Sequence, residues 1–132
     1  MDVLEHVPDL PGIMKSCLTL LRPGGVMKIG VPYDLSLGAW QDPTHVRAFN
    51  ENSWLYYTEW HWYLGWTEAR FDLTSQVFML SPYGVEKHNS GCGMDELLRM
   101  PRAIDSMQVV LTKRLLNAEE AAAAEVVRRG RV

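Results

Sequence analysis

The chain has 132 residues, 47% of them hydrophobic, which suffices for one core of ordinary size but not for two. A net charge of −3 and a pI near 5.8 give no electrostatic drive toward nucleic acid or an anionic membrane, and only Arg128, Arg129 and Arg131 cluster. Cys17 and Cys92 make neither a disulfide framework nor a zinc pair, and the apolar runs fall far below the ~20 residues of a membrane span, so the expectation is a single soluble, cytoplasmic domain.

Residues 2–32, DVLEHVPDLPGIMKSCLTLLRPGGVMKIGVP, read as a strand end, an acidic turn, an amphipathic helix, a Pro-Gly-Gly turn and a buried strand, the order of a parallel sheet. Leu10, Ile13, Met14, Cys17, Leu18 and Leu21 recur at helical spacing behind an Asp9 cap, and Pro23-Gly24-Gly25 stops the helix. Val26 to Val31 lacks polar alternation, as in a strand covered on both faces. Residues 34–50 read as a long loop excursion, a candidate lid or substrate wall. Glu51 to Leu64 reads as a helix ended by Gly65, and 66–81 as a strand interrupted at Thr74-Ser75-Gln76. The glycine-rich stretch 82–95 reads as flexible turns, 95–100 as a short helix and Ile104 to Lys113 as a second late strand. Asn117 and Glu120 have capping-box spacing before a final helix.

Three constellations could carry chemistry. Asp2, Glu5 and His6 spell D-x-x-E-H; in a tight turn the two carboxylates share a side with the imidazole beside them, a donor set for a divalent cation. Alternatively Glu5 and His6 only order the turn. In DPTHVRAF (42–49), His45 is a candidate general base, because imidazole takes up a proton near neutrality, and Arg47 a candidate anchor for a substrate anion. The plainer alternative is a turn made by Asp42 and Thr44, with His45 packed and Arg47 paired to a surface acid. The third is the aromatic band Trp54, Tyr56, Tyr57, Trp60, Trp62, Tyr63 and Trp66, which crowds more rings into thirteen residues than one buried face can hold. Some of them, Trp54 and Tyr57 among the candidates, are expected to meet a planar substrate or a second chain.

These segments resemble the class I S-adenosylmethionine-dependent methyltransferases, in which an LEHV-D segment ends the fourth strand, L-PGG leads into the fifth and a DPTHVRFF segment follows it. The resemblance implies an α/β fold: part of a Rossmann-like methyltransferase sheet, with parallel strands, an antiparallel late strand pair and flanking helices. Its parts would be a β-α-β core (1–33), a loop with the aromatic helix (34–65), the late strands (66–116) and a C-terminal helix (117–132). D-x-x-E-H is similar to the E-x-x-E-H motif of metal-dependent O-methyltransferases acting on the 3′ ends of small RNAs or on ubiquinone precursors, some of which add a later histidine. This implies a metal set of Asp2, Glu5, His6 and His45, with Asp2 one methylene shorter than the family's glutamate.

The resemblance further implies S-adenosylmethionine as cofactor, lined on its sulfonium side by Leu4, Glu5 and Val7. It implies catalytic roles for His45, Glu5 and His6, and substrate contacts from Arg47, Trp54 and Tyr57. Because it covers the C-terminal half of that domain, without the Gly-rich cofactor loop, the expected partners are a small-molecule acceptor and either a second copy or a missing N-terminal half. The alternatives are a non-catalytic, methyltransferase-derived interaction or dimerisation domain, and an unrelated small α/β binding protein.

Overall fold

A computed structural model describes residues 3–130. Its helices are α1 (Leu10–Leu20), α2 (Leu37–Gln41), α3 (Pro82–Asn89), α4 (Met94–Leu98) and α5 (Ala118–Gly130), and its strands are β1 (Val26–Pro32), β2 (Ala69–Leu80) and β3 (Ile104–Leu115). Short 3-10 turns occupy Leu4–His6, Ser53–Tyr57 and His61–Leu64.

The three strands form one sheet in the order β1-β3-β2. Lys113 N donates to Gly25 O and Tyr33 N to Asp105 O at one flank of β3, while Leu116 N donates to Glu68 O and Ser81 N to Ala103 O at the other. Both registers run in opposite senses, so every neighbouring pair is antiparallel. The parallel, Rossmann-like sheet expected from the sequence is thereby overturned. Two local causes account for this. The segment expected to end a strand is instead the 3-10 turn Leu4–His6, and among the described residues no strand precedes α1. In addition, β3 enters between β1 and β2 and opposes both.

Other elements depart from the sequence reading in smaller ways. The expected helix over 51–64 is two 3-10 turns, the second closed by Gly65 in the left-handed region (φ 78°). Strand β2 runs through Thr74-Ser75-Gln76 without a break. The stretch expected to be flexible contains α3, capped by the Ser81 hydroxyl accepting from Gly84 N, with Pro82 in its first turn.

Contacts divide the chain into two compact units. The first comprises 1–8, 28–50 and 75–109 and buries Leu4, Ile29, Val31, Tyr33, Phe49, Leu97, Ile104 and Met107. The second comprises 9–27, 51–74 and 110–132 and buries Met14, Leu18, Trp54, Trp66, Phe71 and Leu111. In the second unit α1 starts where Asp9 accepts from Gly12 N, and α5 starts in a reciprocal box: Glu120 N donates to Asn117 Oδ1 at 2.8 Å and Asn117 N to Glu120 Oε1 at 3.0 Å.

A Glu-His-His candidate metal centre

The 3-10 turn Leu4–His6 and the segment 42–47 meet within the first unit. Val46 N donates to Glu5 O at 2.8 Å, and Arg47 Nη2 donates to the carbonyls of Val7 and Pro8 at 2.8 and 2.7 Å. Asp42 builds the turn that presents His45: its Oδ1 accepts from Thr44 N (2.9 Å) and from the Thr44 hydroxyl (2.7 Å), and its carbonyl accepts from His45 N. Those bonds from Thr44, with the nearby imidazoles of His45 and His6, hold the Asp42 carboxyl below the usual carboxylate range.

Two hydrogen bonds set how the imidazoles face. His45 Nδ1 lies 3.0 Å from Ala39 O; a carbonyl can only accept, so the proton sits on Nδ1. His6 Nδ1 lies 3.0 Å from Thr44 Oγ1, whose own proton is directed to Asp42, and 3.3 Å from Thr44 O, so it too is the donor. In the neutral rings both Nε2 atoms carry lone pairs; Glu5 Oε1 is 3.6 Å from His6 Nε2 and 4.0 Å from His45 Nε2, which lies 3.5 Å from Asp42 Oδ2 as well. The rings meet edge to face with centroids 4.6 Å apart.

Glu5 is 1% exposed, and its second oxygen, Oε2, is buried without a hydrogen-bond partner. A desolvated carboxylate faced by two lone pairs is costly unless a cation or a proton lies among them. One donor atom from each of Glu5, His6 and His45 falls within 4.8 Å of the others. Donors ~2.1 Å from a shared ion lie about 3–3.5 Å apart, so closing on a divalent cation would draw the widest-spaced pair together by about 1 Å. The Nδ1 bonds to a backbone carbonyl and a hydroxyl are the outer bonds that orient metal-binding histidines. His6, its side chain 39% exposed, leaves the centre open to solvent.

Asp2, the fourth ligand expected, lies outside the described residues. Leu4 is buried and Val7 half-buried with its carbonyl held by Arg47, so of the three residues expected to line S-adenosylmethionine only Glu5 offers a polar side chain, turned to the histidines. Arg47, expected to hold a substrate anion, instead clamps the backbone that carries Glu5 and His6. Trp54 and Tyr57 belong to the second unit and are 1% and 5% exposed; Trp54 also forms part of the wall of a cavity of about 410 Å³ with Glu59, Arg70 and Asp72. Sequence reasoning passed over Thr44 and the Ala39 carbonyl as orienting groups. The Asp-Pro-Thr turn was the available signal for the first, whereas the second depends on α2, hidden in an apparent loop.

No protein-family model and no curated protein matches this chain. Its function must therefore be argued from the geometry of this centre and from the two sequence segments that build it. Among the described residues, no helix is long and apolar enough to cross a membrane.

Proposed function

We propose that this chain is the acceptor-side part of an S-adenosylmethionine-dependent methyltransferase, in which Glu5, His6 and His45 hold a divalent cation against a small-molecule acceptor. The observation that carries this reading is the convergence of LEHV and DPTHVRAF, about forty residues apart, on one buried carboxylate with an unpartnered oxygen. These are two of the three segments, the other being PGG, in which the sequence resembles that family.

A bound cation would lower the cost of ionising an acceptor hydroxyl. The chain's own residues supply the rest. Glu5 provides the negative charge that draws a cation or a proton into the site. His6 and His45 are fixed as Nε2 donors by Thr44 and Ala39, and His6, at the solvent edge, leaves a path by which an acceptor proton would pass to water. Arg47 keeps the turn that carries Glu5 and His6 in place. The methyl donor needs further contacts, which we assign to a second copy or to another chain segment. The cellular setting that fits is the cytoplasm.

The test is titration of Co(II) and Zn(II) into the chain, with the Co(II) d–d spectrum and calorimetry as readouts, followed by S-adenosylmethionine on the same sample. One ion per chain with an N/O spectrum, lost in Glu5→Gln and His45→Ala, supports the centre. No uptake by the folded protein overturns it. Failure to bind the nucleoside cofactor in any oligomer overturns the methyl-transfer reading alone.

A second reading is a non-catalytic interaction domain. Tyr56, Trp60, Trp62 and Tyr63 are 39–52% exposed, and the ring of Tyr56 lies 5.3 Å from that of Trp60 and 5.4 Å from that of Tyr63, an aromatic surface suited to a second copy. Sedimentation of wild type and Trp60→Ser separates the two: a dimer lost in the variant favours the interface.

A further inference from the structure

We infer that the first unit carries a binding site for a small planar acid, an aromatic ring bearing a carboxylate or phosphate, formed by Trp40 and Arg102. As the site of the methyl acceptor this rests on the reading above; as a binding site it stands alone. A cavity of about 420 Å³ is lined by Asp34, Leu35, Leu37, Trp40, Gln41 and Arg102, all within that unit.

Trp40 is 70% exposed, yet it is not loose. Its indole Nε1 donates to Asp34 O at 2.8 Å, which fixes the ring while leaving it open to a stacking partner. Beside it Leu37 is 51% exposed, so the wall is apolar where a ring would lie. Arg102 supplies the charge. It is the one non-glycine residue with positive φ among those described (67°), a conformation costly for a side chain of its size. It is held there by its N–H donating to Leu35 O at 2.9 Å and by its carbonyl accepting from the Ser81 hydroxyl at 2.6 Å. The guanidinium has no ion-pair or hydrogen-bond partner among the described residues, whereas Arg47 of the same unit donates its Nη2 to two carbonyls.

A free guanidinium next to an open indole selects a flat anion: the fork takes two oxygens of a carboxylate or phosphate and the ring stacks. Asp34, the acid on this wall, has its carboxylate joined to Asn50 Nδ2 and repels anions that Arg102 does not grip; it equally suits a ligand carrying a hydroxyl or amine donor. The cavity is linked to the Glu-His-His centre by α2, which contributes Leu37, Trp40 and Gln41 to the wall and whose Ala39 carbonyl fixes His45. A ligand seated on Trp40 thus bears on the helix that orients the imidazole.

The experiment follows the indole N–H resonances of the full chain, with the Trp40 signal assigned through Trp40→Phe, while benzoate, phenyl phosphate, benzyl alcohol and inorganic phosphate are added without metal or nucleoside. The two aromatic acids should shift the Trp40 signal saturably, at least ~10-fold more tightly than benzyl alcohol or inorganic phosphate. Arg102→Gln should remove that preference. Arg102→Gly, which relieves the positive φ, should raise thermal stability and still lose the acids. Binding should persist in Glu5→Gln, which separates this site from the metal centre; loss in Glu5→Gln would place the acids at the centre and overturn the inference. So would equal affinity for benzyl alcohol, equal affinity for inorganic phosphate, unchanged binding in Arg102→Gln, or no shift at all.

Discussion

Two clusters of charged side chains, one in each unit, are built on opposite terms. In the second unit Arg70, Asp72, Arg114 and Glu120 saturate one another: Arg114 reaches both Glu120 oxygens at 2.7 and 2.9 Å and Asp72 at 3.1 Å, and Arg70 reaches Asp72 at 2.8 Å. Its one unpartnered buried atom, Arg70 Nε, belongs to a cation already joined to two carboxylates. In the first unit, besides Arg47 Nε, the unpartnered atom is half of the Glu5 carboxylate, which no arginine or lysine among the described residues answers and whose other oxygen faces the imidazoles of His6 and His45. The difference separates glue from site. A network whose charges cancel ties α5 to the sheet and asks for nothing more, whereas a buried charge without its complement marks where something else belongs.

The sharpest way to break this contrast is Glu5→Gln. It should reduce Co(II) or Zn(II) affinity by more than ~100-fold while leaving the metal-free protein as stable as wild type or up to about 2 kcal/mol more so, because it removes a desolvated charge. Calorimetry and thermal melts with and without metal check both halves; a metal-free protein that collapses would make Glu5 part of the glue. Thr44→Val removes an orienting bond without touching a ligand and should weaken metal binding ~10–100-fold, with the Co(II) spectrum perturbed rather than lost.

The saturated network should behave conversely, moving stability and not metal affinity. Glu120→Gln should cost about 1–2 kcal/mol by denaturant unfolding. The arginine at 114, followed by the Asn117 backbone N–H, holds the Glu120 carboxyl well below its ordinary value of 4.5, at about 2. A carboxyl lowered on folding stabilises fully above its unfolded value, so this contribution is complete above about pH 4.5 and drains away as pH falls toward 2. The wild-type and Glu120→Gln stability curves should therefore converge over that window. The smallest effect, about 1 kcal/mol, is expected for Asn117→Ala, which removes half of the box at the start of α5.

What could be read from the chain followed the range of the interaction concerned. Asp9, Asn117 and Glu120 announce helix starts because a cap is settled within four residues. Ser81-Pro82 was an equally local start signal, outvoted by Gly84, Gly91 and Gly93. Gly84 is there for another reason: a Cβ at that position would lie 1.9 Å from Ala103 O, so only glycine lets α3 approach so closely. That contact belongs to the folded chain and has no local signature. The sheet shows the same limit, since strand patterns give faces but not partners. At the candidate centre, residue types and segments were legible from known spacing. The tautomers of His6 and His45, the isolation of Glu5 Oε2 and the use of Arg47 as a clamp depend on bonds spanning up to forty residues. Trp40 and Arg102 carried no periodic signal and were not singled out.

The strand order has a consequence for how the chain acquires its shape. Among the described residues, strands β1 and β2 do not pair with each other; each pairs only with β3, the last of the three in the chain. Until residues 104–115 have been synthesised there is no sheet to join, and Gly25 must wait for Lys113, far along the chain. Closing both edges in one late, non-local step predicts slow, cooperative folding, with amide protection of β1 and β2 arriving together in pulse-labelled exchange. A nascent chain halted at residue 103 should hold helices but no protected strand.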